Sequence, residues 1–186
     1  MTGRIEKLQK SFDLTIRWRT FPLHPETPEE GQLLEDLFRA SPEKIQAMIE
    51  NLRLKAKELG LPFGPRTKTY NSRLAQELGL WAEEMEKGTP FHMAAFKAYF
   101  VDGLNLAKHS VLLELAKNVD LPVNEAERVL TERTYAAHVD KDWEDSRFLG
   151  VTAVPTFIMG RHKLVGAQSF ENLSQLASIN GALPMK

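Results

Sequence analysis

The chain has 186 residues, 42% apolar and 26% charged, with a formal net charge of −1 and no cysteine. The length gives enough core for a domain to fold unaided, and the balance of residue types argues against disorder. Near-neutrality removes the electrostatic drive toward nucleic acid or an anionic membrane. No run reaches the roughly 18 apolar residues of a membrane span, and Arg4, Glu6 and Lys7 stand where a secretory signal would be apolar, so a cytoplasmic location is expected. The missing cysteines exclude disulfides, zinc–thiolate sites and cysteine nucleophiles from the chain as written.

Ile5, Leu8 and Phe12 fall at helical spacing, so the chain starts inside a helix. Leu14, Ile16 and Trp18 alternate with Thr15, Arg17 and Arg19, the period of a strand with one buried face. Pro22, Pro25 and Pro28 then impose an irregular loop. Ser41-Pro42-Glu43 predicts a helix start, with serine as cap, proline in the first turn and a carboxylate at the positive dipole end. Ile45, Met48, Ile49, Leu52, Ala56 and Leu59 make one apolar stripe on that helix, which Gly60 and Pro62 stop.

Leu74, Leu78, Trp81 and Met85 mark a second helix of this block. Residues 91–101 are apolar nearly all round, which predicts a helix buried on most sides. Val111, Leu112 and Leu115 give another helix, and Asn124-Glu125-Ala126-Glu127 reads as a capping box opening a short one through Leu130. Val139, Trp143 and Ser146 belong to one more, ending near Gly150. The pattern then changes: Thr156–Met159 reads as a strand, Gly160-Arg161 as a turn, and Lys163–Val165 as the antiparallel partner. Ser169 caps a last helix carrying Leu173, Leu176 and Ala177, which stops at Gly181.

The segment Gly150-Val151-Thr152-Ala153-Val154-Pro155-Thr156-Phe157 resembles the G-V-x-x-V-P-T-F segment of DsbA-like thioredoxin-fold oxidoreductases and of the related 2-hydroxychromene-2-carboxylate isomerases. Trp18-Arg19-Thr20-Phe21-Pro22-Leu23 is similar to the second strand and following loop of cytoplasmic members, and Ala98-Tyr99-Phe100 through His109-Ser110-Val111-Leu112 to the middle helices of their insertion. The likeness runs from about Arg4 to about Leu176. It implies an α/β, thioredoxin-like fold with an inserted helical domain, over 1–39 and 149–186 for the thioredoxin-like part and 40–148 for the insertion. It also implies a cis Val154–Pro155 bond, with Val154, Pro155 and Thr156 forming a substrate-facing loop. A trans proline at a strand's first residue is the competing structural reading.

In the family the first strand ends in Cys-x-x-Cys at the start of the first helix, where backbone donors and the dipole lower the first thiol's pKa. In the isomerase branch a serine near the same junction helps to hold glutathione's sulfur. Neither can be carried over, because Ile5, Leu8 and Phe12 match the later part of that helix. Thr2 is the one hydroxyl near the start and is a weak candidate. Three outcomes stay open: a longer native N-terminus that supplies the strand and its cysteines, a sheet that closes up over the gap, or a second copy that fills it and makes a homodimer.

Other side chains have bland readings beside functional ones. His138 and Asp142 stand four apart on a predicted helix, a workable metal spacing, but with no third ligand they read as a solvated face. His24 and His162 could approach the site or be surface residues, and His109 reads as an early-turn polar residue. Phe91, Phe96, Tyr99 and Phe100 could line a groove but read more simply as helical core; Arg17 and Arg19 read as a solvated face.

The resemblance implies a thiol–disulfide oxidoreductase acting on protein or small-molecule thiols and disulfides, inactive as this chain stands. No catalytic residue and no metal or other cofactor is assigned. The alternatives are a glutathione-dependent isomerase or transferase and a non-catalytic peptide-binding relative.

Overall fold

The computed structural model describes residues 2–185. In chain order the elements are α1 (Thr2–Ser11), β1 (Phe12–Asp13), β2 (Gln32–Leu33), α2 (Leu34–Phe38), α3 (Pro42–Glu58), β3 (Lys68–Thr69), α4 (Arg73–Glu84), α5 (Gly88–Phe100), α6 (His109–Asn118), α7 (Val123–Glu132), α8 (Ala136–Phe148), β4 (Thr156–Met159), β5 (His162–Val165), α9 (Phe170–Ile179) and β6 (Leu183–Pro184). Two compact units result, one of Met1–Leu23 with Asp142–Lys186 and one of His24–Lys141, the division falling inside α8.

In the first unit α1 packs on α9, and Leu8, Leu173 and Ala177 form a buried cluster. Phe12, Leu14, Phe157 and Phe170 cover it, which joins the N-terminal helix to the hairpin. β4 and β5 pair antiparallel from Thr156 opposite Val165 to Met159 opposite His162, with Gly160-Arg161 as the turn, as the alternation predicts. Ser169 caps α9 by accepting from the Asn172 N–H at 3.2 Å. A short ladder, Phe12 opposite Pro184, ties the chain's end to the exit of α1, so Phe12 heads a strand and does not continue the helix.

The strand expected over Leu14–Arg19 does not form. The segment keeps the strand's alternation, with Leu14, Ile16 and Trp18 turned inward and Thr15, Arg17 and Arg19 exposed, but it joins no ladder among the described residues. Alternation follows from burying one face, which the cluster under Leu14 provides. A ladder needs a second extended backbone in register.

The second unit is a helical block. Leu78, Trp81, Phe91, Leu112, Leu115 and Leu130 lie at the centre of its core. Glu77 is fully buried in it, gripped by Arg133 through both carboxylate oxygens (2.7 and 2.6 Å) and by Arg73 at 2.9 Å. Three expectations need correction. The capping box at Asn124 is not formed, because α7 starts at Val123 with Pro122 as its cap residue. α5 is not buried on most sides: Phe91, Ala95 and Ala98 face the core, while Met93, Phe96 and Phe100 stay partly exposed. α3 has its predicted serine cap, yet of its stripe only Ile45 is buried.

Candidate functional site

The site lies in the first unit, between the end of α8 and the start of β4. Gly150 closes α8 at φ +61°, in the left-handed region that glycine enters without a Cβ penalty. The Val151 N–H returns to the Ser146 carbonyl at 2.9 Å. Lys163 Nζ, reaching across from β5, donates to the Leu149 and Gly150 carbonyls at 3.2 and 3.0 Å, so a cation meets the negative end of the helix dipole. On the far side of the loop the Gly166 N–H donates to the Pro155 carbonyl at 2.8 Å, and Thr156 Oγ1 donates to the Ala153 carbonyl at 2.6 Å. The Val154–Pro155 peptide bond is cis.

These bonds hold the loop at both ends and leave its middle open. Val154 is 43% exposed, and neither its N–H nor its carbonyl has a hydrogen-bond partner among the described residues. The loop therefore presents an uncommitted main-chain donor and acceptor beside an apolar side chain. Sequence reasoning missed Phe148, an apolar side chain 89% exposed at the end of α8 and six residues before Val154. The signal was present: Phe148 stands nine residues after Val139, half a helical circuit from the stripe it starts.

A second anchor ties α8 to the segment 14–20. Asp142 is buried; its Oδ2 accepts from the Thr20 N–H at 2.9 Å and from Thr20 Oγ1 at 3.3 Å, and its Oδ1 meets Arg19 Nε at 2.8 Å. Arg19 Nη2 also reaches Asp145 at 2.6 Å. Asp142 is thus no solvated carboxylate, which corrects that reading, while Arg19 stays exposed as expected and pairs with both Asp142 and Asp145. The backbone N–H of Thr20, buried and outside any strand ladder, needs an acceptor, and Asp142 supplies it.

The other candidates fall elsewhere. His162 lies at the turn end of the hairpin, paired with Asn180 Oδ1 at 3.1 Å, about 10 Å along β5 from the level of Thr156. His24 is exposed in the proline loop, its ring edge-on to Phe38, while His109 opens α6 and His138 is exposed against Tyr135. The side chain of Thr2 lies outside the described residues. Among the described residues no group of three or more His, Asp or Glu side chains is placed to hold a metal, and no helix is long and apolar enough to cross a membrane.

A hairpin entered through an ordered loop and backed by two helices, with a helical block inserted in the chain, is the arrangement of the DsbA-like thioredoxin domain. The model of that family matches residues 1–177, and the chain belongs to it. A probable DsbA oxidoreductase from Streptomyces coelicolor superposes with a TM-score of 0.87 at 26% identity, over 100% of this chain and 86% of that one. A 2-hydroxychromene-2-carboxylate isomerase matches with a TM-score of 0.69 at 18% identity, over 96% and 85%. The cytosolic disulfide reductase DsbM from Pseudomonas aeruginosa, solved with glutathione, matches with a TM-score of 0.52 at 24% identity, over 74% and 73%. No curated protein sequence matches significantly. The chain thus combines the DsbA-like fold with the absence of any cysteine.

Proposed function

We propose that this chain is a DsbA-type relative that holds an extended polypeptide on its 154–156 loop and, having no thiol, exchanges no disulfide by itself. The observation that carries the reading is the open main-chain pair at Val154, exposed and apolar on a loop fixed at both ends. A strand laid along that loop gains backbone hydrogen bonds without regard to its sequence. In this reading residues 1–39 with 149–186 form the thioredoxin-like part, 40–148 is the insertion, and the partners are protein or small-molecule thiols and disulfides in the cytoplasm. β4 pairs with β5 alone among the described strands, and its other edge supports a homodimer as the working form.

Calorimetry with a short Val/Thr-rich peptide, plain and N-methylated at alternate residues, tests the reading. The plain peptide is expected to bind and the methylated one to lose about tenfold, the worth of one or two net hydrogen bonds. Val154→Pro, which deletes the N–H, reproduces the loss for the plain peptide. Equal affinity of the two peptides, or no binding of either, overturns it.

A glutathione-dependent activity of the isomerase type stands second. The glutathione in the DsbM structure favours it, since an open donor–acceptor pair serves the cysteinyl residue of glutathione as well as any extended peptide. Glutathione binding in the same calorimeter, with no binding of the peptide, would select it.

A further inference from the structure

Helix α5 carries an aromatic row away from the core of its unit. His92 stacks on Phe96 with ring centroids 6.4 Å apart, Phe96 tilts against Phe100 at 6.4 Å, and Phe63 lies 6.3 Å beyond. Phe96 is 41% and Phe100 36% exposed. Gly64 brings the 63–66 loop onto the end of the helix: its N–H donates to the Phe100 carbonyl at 2.9 Å, and a Cβ there would collide with the Val101 carbonyl.

That approach sets Arg66 over the rings of Tyr99 and Phe100, at 4.6 and 5.1 Å. Its Nη2 donates to the Tyr99 hydroxyl at 2.5 Å, and Tyr99 in turn pairs with Thr69 Oγ1 at 2.8 Å. No other hydrogen bond holds this guanidinium among the described residues, and its Nε is buried without a partner. The half-buried arginines of the same unit are treated differently. Arg73 closes on Glu77 and Asp140, whereas Arg66 has no carboxylate within ion-pair distance among the described residues. Ring faces offset part of a cation's charge, but four of its five donors stay uncommitted, and an orphaned buried donor signals a missing partner. At the other end of the row His92 meets Glu83 Oε1 at 3.3 Å, so the strip is acidic at one end and cationic at the other.

We propose that Arg66 and the row Phe63–Phe100–Phe96 bind a small amphipathic carboxylate, its head on the guanidinium and its apolar body along the rings. One uncompensated cation at one end of an apolar strip fits one head and one tail, and Glu83 repels a head placed the other way round. This site lies in the helical unit and does not depend on the loop at Val154.

Calorimetry of the full chain with octanoate and with octanol tests it, the two probes sharing one tail. Octanoate is expected to bind about tenfold more tightly than octanol, as a charge-assisted hydrogen bond adds to the same apolar contact. Arg66→Met removes that preference, and Phe96→Ala, which truncates an exposed ring, weakens both probes while the thermal midpoint holds. If Arg66→Met fails to fold, Phe96→Ala still decides. Equal affinity of the two probes overturns the proposal, as does octanoate binding that ignores Phe96→Ala, or binding of an acidic apolar peptide where octanoate does not bind.

Discussion

At the residue scale the first unit turns on Asp142. Its carboxylate meets the main-chain N–H and hydroxyl of Thr20 and the guanidinium of Arg19, and it sits on the helix that leads into the loop with the cis Val154–Pro155 bond. Removing it leaves a buried donor unmet, at roughly 1–3 kcal/mol. Asp142→Ala is therefore expected to lower the free energy of unfolding in urea by that amount, with a matching fall in the midpoint, whereas Asp145→Ala, whose carboxylate is a third exposed, costs less than about 1 kcal/mol. Equal midpoints for the two variants would remove Asp142 from this role. None of this was legible in the sequence. Asp142 stands four residues from His138 and reads as a solvated face, because nothing local reveals that a threonine 122 positions earlier needs an acceptor.

At the element scale two helices have the same serine cap and different dependence on it. Ser169 starts α9, which buries Leu173, Leu176 and Ala177, while Ser41 starts α3, which buries Ile45 alone. Cap loss costs about 1 kcal/mol in either helix, but only a helix bound into the core passes that cost to the whole unit. Ser169→Ala is expected to lower the free energy of unfolding by about that much, with a matching fall in the midpoint. Ser41→Ala should speed hydrogen exchange along α3 and leave the midpoint in place; a matching drop in midpoint would show that α3 is bound into the core. Both caps and the hairpin were readable, since each rests on residues within a few positions of one another. The false capping box at Asn124 shows the limit of such signals: Pro122 occupies the cap position two residues earlier, and the helix starts from there.

At the scale of the whole molecule, a DsbA-like fold without a single cysteine cannot supply the thiolate that attacks a disulfide. Insulin reduction by the purified chain is expected at background, and a rate above it would require another redox chemistry in the same fold. The sequence by itself determined the family, the thioredoxin-like fold, the hairpin after Val154-Pro155 and the lack of a thiol in this chain. These follow from residue identity, short-range periodicity and a contiguous motif. Only the tertiary structure decided that 14–19 alternates without joining a ladder, that Asp142 and Glu77 are buried and paired, and that Phe96 and Phe100 leave the core. The reason is physical: burial and pairing depend on which distant surfaces meet, and a local pattern holds no record of that.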